Sequence, residues 1–139
     1  MSPLYQAWTE LEGGHRKIRL LFNVLEAAED QLSALTALWH LQTELEKHFR
    51  QEEGPGGLYE SLGLHLRGAR AVLADHERLR DAIATVAEAI ESLDRPRSPL
   101  IHAATLELGN ELRGHERREH ALVKRALSDL SGAAGQPAG

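Results

Sequence analysis

His48 and Glu52 stand four residues apart in the stretch Glu46 to Glu53, which reads Glu-Lys-His-Phe-Arg-Gln-Glu-Glu. On a helix that spacing places both side chains on one face, one turn apart. Counting back from His48 by threes and fours meets Leu45, Leu41, Leu38 and Ala34. The pair therefore continues an apolar stripe that faces a core. A histidine and a carboxylate entering a core are costly without a partner. A metal ion would satisfy both. The same pattern recurs as His115 and Glu119. The chain has eight histidines and no cysteine, so a metal site here must use nitrogen and oxygen ligands.

Four helices are expected to position these groups. Ser2-Pro3 reads as a cap followed by proline at the first helical position. From there Leu4, Trp8, Leu11, His15, Ile18, Phe22 and Leu25 hold a heptad-like phase. Gly13-Gly14 interrupts that stripe at a cost of roughly 2 kcal/mol in helix propensity. The phase outweighs it, predicting a first helix over about Pro3 to Glu29. The small residues beside His15 leave room for something to approach. A second helix is expected from a Ser33 cap to Glu53, stopped by Gly54-Pro55-Gly56-Gly57, with one short turn at Leu58 to Leu62. The third stripe reads Leu66, Ala69, Leu73, His76, Leu79, Ile83, Val86, Ile90 and Leu93, ending near Asp94. Ser98-Pro99 repeats the cap-and-proline signal. The fourth stripe then carries Ile101, Thr105, Leu108, Leu112, His115, Glu119 and Leu122, fading near Leu130. The expectation is an all-α, up-down-up-down four-helix bundle over residues 1–131, with a disordered tail over 132–139.

Depth along the bundle tests whether the polar groups meet. At about 1.5 Å per residue, His15 and His48 each lie roughly 21–23 Å from the first interhelix loop. His76 and His115 lie at matching depths from the loop that joins their helices, within about one turn. The connection after Glu53 is longer and does not test the level. His40 shares its side of the second helix with Glu44, Lys47 and Gln51, a solvated side. His102 lies about 13 residues before His115, roughly 20 Å along the helix, and His65 lies near a loop. None of these three is expected to be a ligand. His120 and Glu53 each follow a motif glutamate by one residue and could flank the site. An interhelix hydrogen bond is the preferred reading for both.

Composition narrows the function classes. The chain has 139 residues, is 42% hydrophobic and 27% charged, and has only 4% aromatics. That suits one soluble helical domain. A net charge of −5 gives no footprint for nucleic acid or an anionic membrane. No apolar run is long enough to span a membrane. The N-terminus lacks a charged n-region and an apolar h-region, so a cytoplasmic location is expected. There is no P-loop, no Gly-x-Ser-x-Gly and no cysteine nucleophile.

Taken in order, His15, then His48-Phe49-x-x-Glu52-Glu53, Asp75-His76-x-x-Leu79 and His115-x-x-x-Glu119 resemble the hemerythrin-like family, also called the HHE cation-binding domain. The resemblance runs from Pro3 to about Leu130. It implies a non-haem centre of two iron ions. His15 and His48 would bind one iron, His76 and His115 the other, with Glu52 and Glu119 bridging. Two departures separate this chain from the oxygen carriers. They have a second histidine one turn from the third-helix ligand, where this chain has Val72 and Arg80. They have an Asp five residues after the fourth-helix histidine, where this chain has Glu119 at four and His120 at five. Fewer histidines leave open coordination positions. That favours exogenous ligands or reactivity, as in hemerythrin-like members linked to peroxide, nitric oxide or iron sensing.

The leading expectation is a di-iron protein that binds or reacts with O2, peroxide or NO, with catalase- or peroxidase-like activity among the options. The second is a non-catalytic iron-binding, sensing or storage module. The third is a purely structural bundle, which predicts no stoichiometric metal and no stability loss in His48→Ala or Glu119→Ala.

Overall fold

The computed structural model of the chain describes residues 3–62, 66–92 and 98–135. The protein is an all-helical bundle. Its helices are α1 (Pro3–Ala27), α2 (Gln31–Glu53), the short α3 (Leu58–Leu62), α4 (Leu66–Ser92) and α5 (Pro99–Gly135). Among the described residues there is no strand, and no helix is long and apolar enough to cross a membrane. Helix α1 packs chiefly on α2, and α4 chiefly on α5. Contacts of α2 with α4 and of α1 with α5 complete the bundle.

The helix boundaries show where local chemistry prevailed. Helix α1 runs unbroken through Gly13-Gly14, so burial of its stripe outweighs the propensity cost. It ends at Ala27, two residues earlier than the stripe predicts. Helix α2 is capped by Asp30, not by Ser33. The Asp30 carboxylate accepts the Ser33 amide at 2.7 Å, and the Ser33 hydroxyl donates to the same carboxylate at 2.8 Å. Asp30 accepts both bonds, which sets Ser33 inside the first turn. At the other end the Gly54 amide bonds the Arg50 carbonyl at 2.9 Å. A Cβ on Gly57 would lie 2.1 Å from the Gln51 carbonyl oxygen, so only glycine fits this turn into α3. Ser98 caps α5 as expected, accepting the Ile101 amide at 3.2 Å. Helix α5 continues to Gly135, beyond the expected fading near Leu130 and into the stretch read as tail. The expected end near Asp94, and His65, lie outside the described residues.

Two apolar clusters fill the bundle. One holds Ile18, Phe22, Leu41, Leu45, Leu79 and Leu108 with their neighbours. The other holds Leu4, Leu11, Leu58, Val72, Leu122 and Val123. The fourth-helix stripe holds, and the third holds from His76 to Ile90 but departs at Leu73. Val72 is buried and Leu73 is 42% exposed. The polar groups fall between the clusters. His15 follows Leu11 and precedes Ile18, His76 stands between Val72 and Leu79, and His115 and Glu119 stand between Leu108 and Leu122. One layer of imidazoles and carboxylates thus separates two greasy halves.

Candidate metal centre

That layer brings together all six expected ligands: His15 from α1, His48 and Glu52 from α2, His76 from α4, and His115 and Glu119 from α5. All six are buried, Glu52 and Glu119 completely. The i,i+4 geometry acts as anticipated. His48 Nε2 lies 2.5 Å from Glu52 Oε1, and His115 Nε2 contacts Glu119 Oε1. Glu52 also reaches across, with Oε2 at 2.8 Å from His76 Nε2 and Oε1 at 3.6 Å from His115 Nε2. Glu119 Oε2 lies 3.5 Å from His15 Nε2, and its Oε1 lies 3.8 Å from His48 Nε2. The Glu52–His76 contact sets the level that the long connection left open.

Within this layer His48, Glu52, His115 and Glu119 can each turn one ligand atom into a common space less than 4.8 Å across. His15 and His76 stand at opposite ends of it, each against one glutamate. The Nε2 atoms of His15, His48 and His115, with Glu52 Oε1 and both Glu119 oxygens, are buried and have no hydrogen-bond partner among the described residues. They lie at contact distance without hydrogen-bond geometry. Such a convergence of orphaned atoms is costly in a metal-free protein and is what a bound cation relieves. Imidazole and carboxylate donors without thiolate suit a first-row metal ion.

Several neighbours hold the rings in place, and of these the sequence had assigned a role only to Glu53. Asp75, fully buried on α4, accepts from His115 Nδ1 at 3.1 Å, which turns Nε2 toward the layer. Arg118 anchors Asp75 with two bonds of 2.8 Å, and Arg78 contacts it as well. Glu53 does the same for the other end, its Oε1 lying 2.8 Å from His76 Nδ1. This is the interhelix bond expected of it. The Tyr59 hydroxyl on α3 donates to Glu52 Oε2 at 2.7 Å and lies 3.1 Å from His76 Nε2. Phe49 stacks on the His76 ring at 3.9 Å, and the Arg80 guanidinium sits 5.0 Å above the centre of Phe49. Arg80 also bonds Glu46 at 2.8 Å. The room at Gly14 proves to be for His48, and Gly13 faces open space. A Cβ on Gly14 would lie 3.1 Å from His48 Nδ1. No signal in the sequence pointed to Tyr59. The signal for Asp75 was its place beside His76.

Two of the remaining histidines sort as expected, and His120 and the nearby Glu44 do not. His40 and His102 are exposed. His120 is exposed and packs on Trp8 with ring centres 5.4 Å apart, outside the layer. Among the described residues it makes no interhelix hydrogen bond, and an aromatic contact takes the place of the expected one. Glu44, placed on the solvated side with His40, is instead buried, and its Oε2 pairs with Lys17 Nζ at 3.1 Å. Glu44 thus lies against α1, whose Lys17 reaches it.

The electrostatics follow from this crowding. Burial pushes the His48 imidazolium down, but Glu119 and Glu52 overcome it and hold its pKa at about 9. The same opposition leaves His115 at about 10. Burial pushes the Glu52 and Glu119 carboxyls up, yet the surrounding histidines hold both well below the usual carboxylate range. Burial and then Glu52 push the Tyr59 phenol far up, so it remains a donor. Without metal, His48 and His115 are therefore imidazoliums paired with two carboxylates. Metal and protons compete for the same atoms.

Asp75 provides a direct check on this arrangement. Asp75→Asn keeps the volume but removes the charge that fixes His115. Metal affinity is expected to fall about 10- to 100-fold, as for other partners of ligating histidines. Competition against a chelator of known affinity would measure it, and an unchanged affinity would remove His115 from the ligand set.

No family model matches the chain, and neither a curated protein nor a solved structure does.

Proposed function

We propose that this layer holds a pair of iron ions, that the chain is a hemerythrin-like up-down-up-down bundle, and that the centre binds or reacts with O2, peroxide or NO. The observation that carries the reading is the set of buried, unpartnered nitrogen and oxygen atoms facing one another. The split of each carboxylate supports two ions over one. Glu52 turns Oε1 to His48 and Oε2 to His76, while Glu119 turns Oε2 to His15 and Oε1 to His115. Each glutamate thus faces histidines of three helices, with Oε1 between His48 and His115 and Oε2 toward His76 or His15, so Glu52 and Glu119 would be the residues shared by two ions. Iron in such a site supplies redox and ligand-binding chemistry. The protein's own residues orient the imidazoles, through Asp75 and Glu53, and keep water out with Phe49, Leu45 and Ile18. The lack of a second third-helix histidine leaves the donor set short, which favours exchangeable ligands.

Elemental analysis after anaerobic Fe(II) loading and desalting tests this. About two irons per chain are expected in the wild type, on the order of the two-metal carboxylate sites of helical bundles, with a clear drop in His48→Ala. A wild type that retains no metal would sink the proposal. Rapid hydrogen peroxide turnover by the loaded protein would separate a reactive centre from a sensing or storage module.

A further inference from the structure

The two ends of the metal layer differ. Phe49 and Tyr59 close the His76 end. At the His15 end a cavity of about 190 Å³ between α1 and α5 touches His15, His48 and His115. Ile18, Phe22, Leu45 and Leu112 give it apolar walls, and Arg19, Arg113, Glu26 and Glu116 line it as well. That volume lies below the roughly 300 Å³ at which pockets begin to take drug-sized ligands. Outside it a wider groove of about 730 Å³ runs along the same two helices, again reaching His15. Arg19 and Glu116 line both spaces. Arg19 Nη1 donates to Glu116 Oε1 at 2.9 Å, and that same oxygen lies 3.8 Å from His15 Nδ1. This ion pair, with His15 and Arg113, lies where groove and cavity share their lining.

The charge of the groove is opposite to that of the molecule. Arg19, Arg113, Arg117 and Lys124 line it against only Glu12 and Glu116, in a chain of net charge −5. Arg19 and Glu116 pair with each other, which leaves Arg113, Arg117 and Lys124 against Glu12. A concave surface of one sign concentrates ions of the other and raises their arrival rate by about 10- to 1,000-fold. We propose that the α1–α5 groove is the entrance to the metal layer, that it gathers small inorganic anions, and that the Arg19–Glu116 pair is the latch they pass. An anion loses water on entering the apolar cavity, and only a cationic centre beyond it offsets that loss. The proposal therefore rests on the metal reading, and it adds small inorganic anions to the neutral ligands proposed for that site.

The test compares azide, an anion, with NO, a neutral ligand, by stopped-flow association with the iron-loaded protein. In Arg117→Glu/Lys124→Glu the ratio of azide to NO association rates is expected to fall about tenfold or more at low ionic strength. Arg117→Gln/Lys124→Gln should lie between this variant and the wild type. The differences should vanish near 1 M salt, where the screening length is about 3 Å. Glu116→Gln, which weakens the latch, should speed both ligands. Iron content is measured first in every variant. An unchanged ratio in a fully loaded double variant overturns the proposal. If the wild type holds no iron, nitrate titration of the metal-free protein decides by NMR. A saturable shift of the Trp8 indole N–H, lost in the double variant, supports the groove as an anion site, and no shift overturns it.

Discussion

Saturating Fe(II), added anaerobically, is expected to raise the melting temperature of the protein by more than about 10 °C, with a larger increment at pH 8 than at pH 6. A ligand that binds only the folded chain adds about 4 kcal/mol when its free concentration is 1,000 times its dissociation constant. For a domain of this size each kcal/mol is worth about 4 °C. The pH effect follows from the direction of each shift. His48 and His115 have folded pKa values of about 9 and about 10, raised from 6.5. Their contribution to the metal-free fold is complete below about pH 6.5 and fades as pH rises through those values. Glu52 and Glu119 are lowered from 4.5, so their contribution is present above that pH and fades below it. The metal-free protein is thus most stable between about pH 4.5 and pH 6.5. Metal must displace the imidazolium protons, so loading tightens as pH rises over the range in which the free fold weakens. Scanning calorimetry of both forms checks this. An increment that shrinks with rising pH would mean that iron does not compete with these protons.

Burial on a stripe was legible, because His15, His48, His76 and His115 each sit where a leucine would otherwise continue the period. The common level was legible where short loops join the helices, since loop position and rise fix depth. Across the α2–α4 connection only the folded contact between Glu52 and His76 reveals it. Asp75 and Tyr59 were harder to read for a physical reason. Their roles depend on partners 40 and 7 residues away, met through side-chain directions that periodicity does not encode. Asp30 displaced Ser33 as a cap because two good capping residues three apart leave the boundary undecided until packing chooses. The slip from Leu73 to Val72 has a similar origin. Either residue fits the period within its tolerance, and the His76 ring, held by Phe49 and Glu53, fixes which way α4 faces.

Replacing the centre with apolar side chains should make the metal-free protein more stable while abolishing iron binding. The variant is His48→Leu/Glu52→Met/His115→Leu/Glu119→Met, which roughly conserves volume. Exchanging a buried ionic cluster for well-packed apolar groups is neutral or stabilising by about 1–4 kcal/mol. Tyr59, His76 and Asp75 keep partners, and His15 Nδ1 still faces Glu116 Oε1 at 3.8 Å. Tyr59 can donate to His76 Nε2, already 3.1 Å away, and Asp75 keeps both Arg118 bonds. The new side chains would join the two apolar clusters that the layer now divides. Glu119→Ala alone should act in the opposite direction, costing about 3 kcal/mol or more, because it leaves buried cations facing a hole. Urea unfolding of the metal-free proteins compares the three chains, with iron content measured alongside. A quadruple variant less stable than the wild type would mean that the polar layer serves the fold itself. A more stable one that holds no iron would mean that these four side chains are kept at the expense of stability, for the metal they bind.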